Sequence, residues 1–252
     1  ENDREFADTP YLKAISWLKN EAEDIYDPEY GDIIRVAGLV GFSRGKASSI
    51  VSELSGRDPD TRKVDEERIP VAYDKLERAL LQIVSNYHFD NFLMLIKSAG
   101  FITQGMVNSK NALNFAYALY LRLREDKTMS EGERKRIVKR WFVMSMLTGR
   151  HSGSFESTWE QDIRRIGELG IANYVKQVEK AELSDAFWAV ALPAALETTS
   201  TTSPFFQTFL AAQVTNNARG FLSKGITVAA MHQQSGDIHH IVPKNYLQTH
   251  EF

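Results

Sequence analysis

The run Glu133-Arg134-Lys135-Arg136-Ile137-Val138-Lys139-Arg140-Trp141-Phe142-Val143-Met144-Ser145-Met146-Leu147-Thr148-Gly149 opens on dense charge and closes on large apolar side chains. That order predicts a helix running from the surface into a core. Gly149 ends it, because glycine accepts the left-handed backbone that stops a helix. Outward from this run, apolar residues recur at spacings of three and four rather than two. Leu76, Leu80, Leu81, Ile83 and Val84 form one stripe after a break at Pro70, and Phe115, Ala118, Leu119 and Leu123 form another. Ser157 or Thr158 is placed to cap a further helix with Trp159, Ile163 and Ile166 on its inner face. Turn-forming residues cluster at 55–60, 148–154 and 198–204, the last reading as a linker before a final helix over 205–214. Ile226-Thr227-Val228 and residues 238–242 have strand character. The expected fold is mainly α, a multi-helix body with a short, incomplete β-hairpin at its C-terminal end. The expected division is a helical domain over 1–200, a helical connection over 201–225 and a separate terminal piece over 226–252.

Composition narrows the function classes. The 252 residues carry a formal net charge of −3, so a nucleic-acid contact would have to come from a local basic patch. Cysteine is absent, which removes disulfides, thiolate nucleophiles and cysteine-held zinc and fits a reducing cytoplasm. The longest apolar runs, 141–147 and 186–196, fall short of the about 20 residues that cross a bilayer, and Pro193 interrupts the second. No membrane association is expected. The first residue is Glu1, with no initiator methionine and no secretory leader, so the chain reads as part of a longer protein.

The chemistry-bearing stretch is Asp237-Ile238-His239-His240-Ile241-Val242-Pro243-Lys244. Adjacent imidazoles among branched apolar residues are hard to explain by packing, because each buried ring nitrogen needs a partner. Phosphodiester hydrolysis requires an activated water and a cation that neutralises the phosphate, and two histidines can divide those tasks. Side chains of neighbouring strand residues point to opposite faces, so the pair belongs at a strand end or bend, and Pro243 fits one. The rival reading is a pair of surface histidines in a polar tail. His232 and His250 match no zinc spacing, and His88 and His151 read as structural.

Three further features have a DNA reading beside a plain one. Residues 32–39, 40–45 and 46–54 are compatible with helix, turn and a second helix started by Ser43, with Arg44 and Lys46 at its start and Ser48, Ser49 and Ser52 exposed. They are equally a helical hairpin. The loop 148–154, with Arg150 and several backbone donors, is either a phosphate or flipped-base cradle or a helix connection. The basic run Arg134, Lys135, Arg136, Lys139 and Arg140 is a solvated helix face or a surface that tracks a DNA backbone.

Residues 237–244 resemble the first half of the His-Asn-His, or ββα-metal, nuclease motif. The resemblance extends over Gly41-Phe42-Ser43-Arg44-Gly45-Lys46, Leu54-Ser55-Gly56-Arg57, Ala112-Leu113-Asn114-Phe115-Ala116-Tyr117, Leu147-Thr148-Gly149-Arg150 and the 209–213 and 220–223 segments. Together they are similar to the C-terminal half of GmrSD-like proteins, modification-dependent type IV restriction endonucleases and their relatives. The resemblance implies His240 as general base, His239 and Asp237 at a divalent metal, Mg²⁺ in the complete nuclease, and Lys244, Arg44, Lys46 and Arg150 toward DNA. It also implies, as partners in the longer protein, an N-terminal nucleotide-using domain and the rest of the nuclease domain. Neither that domain's Asp-Gly-Gln-Gln-Arg signature nor the motif's asparagine-bearing segment and closing helix is in this sequence. No nucleotide site, no tightly bound ion and no cleavage are therefore expected of these residues alone. The competing class is a non-catalytic helical scaffold or DNA-binding module coupling flanking domains.

Overall fold

The computed structural model describes residues 25–197, 200–220, 225–233 and 249. These form a mainly helical body. In chain order the α-helices are α1 (Tyr30–Ala37), α2 (Ala47–Leu54), α3 (Arg68–Ile83), α4 (Asn86–Lys97), α5 (Lys110–Arg124), α6 (Glu131–Thr148), α7 (Phe155–Leu169), α8 (Ile171–Glu182), α9 (Leu192–Leu196), α10 (Pro204–Thr215) and α11 (Val228–Gln233). One π-helical turn, Gly38–Phe42, extends α1, and another, Phe187–Ala191, leads into α9.

The central element is α5. Ser109 caps it by accepting the Ala112 N–H at 3.2 Å, and every residue from Ala112 to Leu121, with Leu123, is buried. A single apolar stripe was the expectation; burial on all sides instead makes this helix the post around which the others pack. Its most extensive contacts are with α6, and α1 packs against both α5 and α3. A polar link crosses this core beside α1. Asn114 donates to Asp32 at 2.8 Å and accepts from the Tyr26 hydroxyl at 2.5 Å, so both ends of its amide are satisfied without water.

The α6 helix matches its sequence reading. Ser130 and Glu133 close a reciprocal capping box, and Gly149 ends the helix at φ 63°. Trp141, Phe142, Met144, Met146 and Leu147 are buried, with Trp141 stacked on Phe115 at 5.5 Å between centroids.

Several boundaries differ from expectation. Pro70 lies inside the first turn of α3 rather than before it, where an absent N–H costs nothing because first-turn donors lack intrahelical partners. Within that stripe Ile83 and Val84 are buried but Leu81 is exposed. The α7 helix starts at Phe155 with Ser154 at the cap position, ahead of Ser157 and Thr158. Trp159, Ile163 and Ile166 are buried as expected. Residues 226–228 do not form a strand: Thr227 makes an isolated antiparallel bridge to Arg219, and Val228 already begins α11. The remainder of the expected hairpin, 238–242, lies outside the described residues.

The 205–214 helix exists as α10 and docks on α6. It lies close against the body at Gly100, which has φ 93° and sits where an added Cβ would lie 2.0 Å from the Ala211 carbonyl oxygen. Among the described residues no helix is long and apolar enough to cross a membrane. Gly100→Ala adds both left-handed strain and a backbone clash, so urea unfolding is expected to show a loss of roughly 2–4 kcal/mol. An unchanged midpoint would mean that α10 is not held by this contact.

Candidate nucleic-acid interface

The residues expected to touch DNA among those described, Arg44, Lys46 and Arg150, flank one helix, α7. On one side the chain enters α2. Gly45 packs so tightly that a Cβ would fall 2.2 Å from the Glu160 backbone nitrogen. This brings the start of α2 under two carboxylates of α7. Glu160 accepts from the backbone N–H groups of Gly45 at 2.6 Å and Lys46 at 3.1 Å, and Glu156 accepts from Ala47 at 3.4 Å. Negative charge at a helix N-terminus complements the unsatisfied donors there.

This geometry corrects the helix-turn-helix reading. The second helix begins at Ala47 with Lys46 in the cap position, whereas Ser43 occupies the left-handed position closing the π turn, at φ 52°. The helix start that would enter a major groove is covered by α7. Arg44 is bound within the chain, 2.5 Å from Asp60 and 3.1 Å from Glu160. Ser48 is exposed, while Ser49 and Ser52 are partly covered.

On the other side of α7 a buried ionic network closes the 148–154 loop. Arg150 meets the Asp162 carboxylate through Nη2 at 2.5 Å and Nε at 3.2 Å, and reaches Glu182 through Nη1 at 2.6 Å. The Tyr174 hydroxyl donates to Asp162 at 2.7 Å, and His151 Nε2 lies 3.4 Å from the same carboxylate. Asp162 and His151 are fully buried. Burial alone would push the Asp162 carboxyl up, but hydrogen bonds from His151, Arg150 and Tyr174 and the Arg150 charge hold it below its ordinary value. For His151 burial dominates: it lowers the imidazole below 6.5 although Asp162 pulls the other way, so the ring stays neutral. Arg150 also stacks over the Trp141 ring at 5.5 Å. The loop is a helix connection tied by charge, and most of the Arg150 donors are committed inside it.

Two open clefts follow from this arrangement. One, of about 510 Å³, contains Arg44, Lys46, Arg62 and Ser157; the other, of about 430 Å³, contains Arg150, Arg165 and Tyr174. Gln161 and Arg164 line both, which makes the outer side of α7 one continuous polar surface. Six basic residues and three acidic ones line it. Lys46 and Arg62 make no ion pair among the described residues, and both are exposed. Such a surface can track a phosphate backbone, though it carries no base-reading helix.

The basic run on α6 is more locally engaged. Lys135 pairs with Glu131, Arg134 donates to the Asp126 carbonyl, and Arg140 forms a two-pronged pair with Glu179. His88 is structural, with Nδ1 2.9 Å from the Gln82 carbonyl. Asp237, His239, His240 and Lys244 lie outside the described residues, and among the described ones no three His, Asp or Glu side chains gather around a metal position. Sequence reading missed Asp162, although its signal was present: an acidic residue on the same helical face as Trp159, Ile163 and Ile166 has to be paired when buried.

Removing the Asp162 carboxylate would leave Arg150 with the Glu182 carboxylate alone and deprive Tyr174 and the buried His151 of their acceptor. Asp162→Ala is expected to lower stability by about 3–5 kcal/mol in urea unfolding, a cost that a peripheral pair would not show. The network also sets a pH dependence. A histidine whose folded pKa lies below its unfolded value takes up a proton on unfolding, so stability is full above about pH 6.5 and falls as pH drops below it. The lowered Asp162 value acts in the same direction at more acidic pH. The slope of Tm between pH 7.5 and pH 5.5, both about the histidine range, is expected to flatten in His151→Gln; an unaltered slope would place the titrating group elsewhere.

Comparison of the chain with protein-family models, curated proteins and solved structures finds no match in any of the three.

Proposed function

We propose that these residues are the helical, DNA-contacting body and the opening of the catalytic segment of a metal-dependent DNA endonuclease. The observation that carries the reading is the sequence 237–244, in which two adjacent histidines follow an acidic residue and precede proline and lysine. Neutral imidazole and carboxylate together suit a divalent cation, so His239 and Asp237 would hold it. When bound, the cation supplies Lewis-acid stabilisation of charge on the phosphate and the leaving oxygen. His240 would take the proton from the attacking water as general base. Lys244, four positions after His240, would add a positive charge toward the phosphate.

The α7 surface supports this assignment through Lys46 and Arg62, which are exposed and make no ion pair among the described residues, on a chain whose net charge is −3. Backbone binding of this kind needs exposed cations more than shape. Lys46 and Arg62 meet that need; Arg44 and Arg150 act by shaping the two sides. Restriction of foreign or modified DNA in the cytoplasm is the biological role this chemistry would serve. The non-catalytic alternative, a scaffold or DNA-binding module, is favoured by one observation: Arg44, Arg150, Arg164 and Arg165 already have carboxylate partners within the chain.

Two measurements separate these readings. In a longer polypeptide that carries the family's asparagine-bearing segment and closing helix, His240→Ala is expected to reduce Mg²⁺-dependent plasmid nicking by about 100-fold or more, the usual contribution of a general base. Residues 1–252 alone are expected not to nick. Full cutting after replacement of both His239 and His240 would leave only the scaffold reading. Independently, Lys46→Glu with Arg62→Glu is expected to reduce the slope of log affinity against log salt by roughly two for duplex DNA. No change in that slope would remove α7 from the interface.

A further inference from the structure

A second surface of different character lies between α6, α8 and the segment leading to α9. It is a groove of about 670 Å³ with Val143, Leu183 and Trp188 on its walls and Lys139, Lys176 and Lys180 around it. The Trp188 indole N–H donates to the Leu183 carbonyl at 3.1 Å, which fixes the ring while half its surface stays exposed. Beyond it, residues 186–196 contain no charged side chain, and neither the π turn nor α9 buries a residue. Contiguous exposed apolar surface rimmed by polar groups marks an interaction site.

The rim has one sign. Lys139, Lys176 and Lys180 make no ion pair among the described residues, and the acid in the groove, Glu179, is held by Arg140 at 2.5 and 2.8 Å. Glu133, which faces Lys176 and Arg136 electrostatically, is committed to the Ser130 cap. An occupant of this groove must therefore offer apolar groups for the walls and negative charge at the edges.

We propose that the groove docks an acidic amphipathic helix of a partner protein. Its apolar stripe would lie against Val143, Leu183 and Trp188, with carboxylates along its flanks meeting the three lysines. A nucleic-acid strand is the poorer fit, because stacking needs aromatic faces and the walls are otherwise aliphatic. No residue lining this groove lines the two clefts along α7, so the inference stands apart from the nuclease assignment.

The test titrates the 252-residue chain into a fluorescein-labelled helical peptide of about 15 residues, with leucines at i, i+3, i+4 and i+7 and glutamates on both flanks. The same peptide with lysines replacing glutamates and a labelled oligothymidylate serve as comparison probes. Anisotropy is expected to show binding of the glutamate peptide, at least about tenfold weaker binding of the lysine peptide, and a loss of about tenfold or more in Lys176→Glu/Lys180→Glu and in Trp188→Ala. The substituted side chains are exposed, and circular dichroism checks that each variant remains folded. Absence of binding, equal binding of both peptides, or binding indifferent to both variants overturns the proposal. Oligothymidylate binding that these variants abolish, without peptide binding, overturns it in favour of nucleic acid. Self-association abolished by Trp188→Ala, without peptide binding, overturns it in favour of a second copy of the chain.

Discussion

The buried carboxylate of Asp162 is the constraint on which the second half of the molecule depends. An unpaired charge at that depth would cost several kcal/mol, and the chain meets that cost with three donors from two segments: Arg150 and His151 from the loop after α6, and Tyr174 from α8. Each donor fixes the segment that carries it. The loop cannot swing away without leaving the buried Asp162 carboxylate short of its Arg150 and His151 donors, and α8 cannot shift along α7 without breaking the tyrosine bond. Hydrophobic contacts among Phe115, Trp141 and Trp159 fill the space around this centre but are non-directional. The polar network supplies orientation where packing alone would permit several.

Close backbone approach does the equivalent work elsewhere. At Gly45 and at Gly100 the missing side chain lets one segment lie directly on the backbone of another, joining α2 to α7 and the end of α4 to α10. Such contacts have short range and steep repulsion, so they fix separations to fractions of an ångström. The outcome is that acidic residues of α7 cap α2, and a surface assembled from residues distant in sequence keeps one shape. Arg44 and Glu160, 116 positions apart, are the clearest instance.

How far this was legible in the sequence follows the range of each interaction. Helix α6 is readable from Glu133 onward because its charged start, apolar finish and terminal glycine are all local signals, while its Ser130 cap and first residues go unread. The complete burial of α5 was not, because Asn114, Tyr117 and Tyr120 interrupt a simple stripe and find partners only in three dimensions; Tyr117, for example, donates to the Ile83 carbonyl. Pro70 was misread as a break since proline is compatible with both a break and a first helical turn. Arg44 and Arg150 were recognisable as unusual, but sequence contains no statement of which carboxylate each arginine meets. Their spatial neighbours Arg62, Arg164 and Arg165 had no distinguishing local pattern, and only the fold places them along one helix. The histidine pair at 239 and 240 stands on sequence chemistry alone.

Two Arg–Glu pairs fasten the last turn of α8, each beside a different surface of the molecule. Arg150 holds Glu182 beside the cleft along α7, whereas Arg140 holds Glu179 beside the groove walled by Val143 and Trp188. The first pair belongs to a desolvated network and resists exchange; the second is largely open on its arginine side, so an incoming carboxylate can compete for it at little cost. Glu179 and Glu182 are three positions apart, hence neighbours on the same helix, and a small rotation of α8 that loosened one would move the other. A bound partner in the groove and a phosphate backbone in the cleft would thus act on one rigid element, since residues of α8 line both. Any communication between the two surfaces has α8 as its shortest physical route, and its size would be set by the difference in how strongly each occupant favours one setting of that helix.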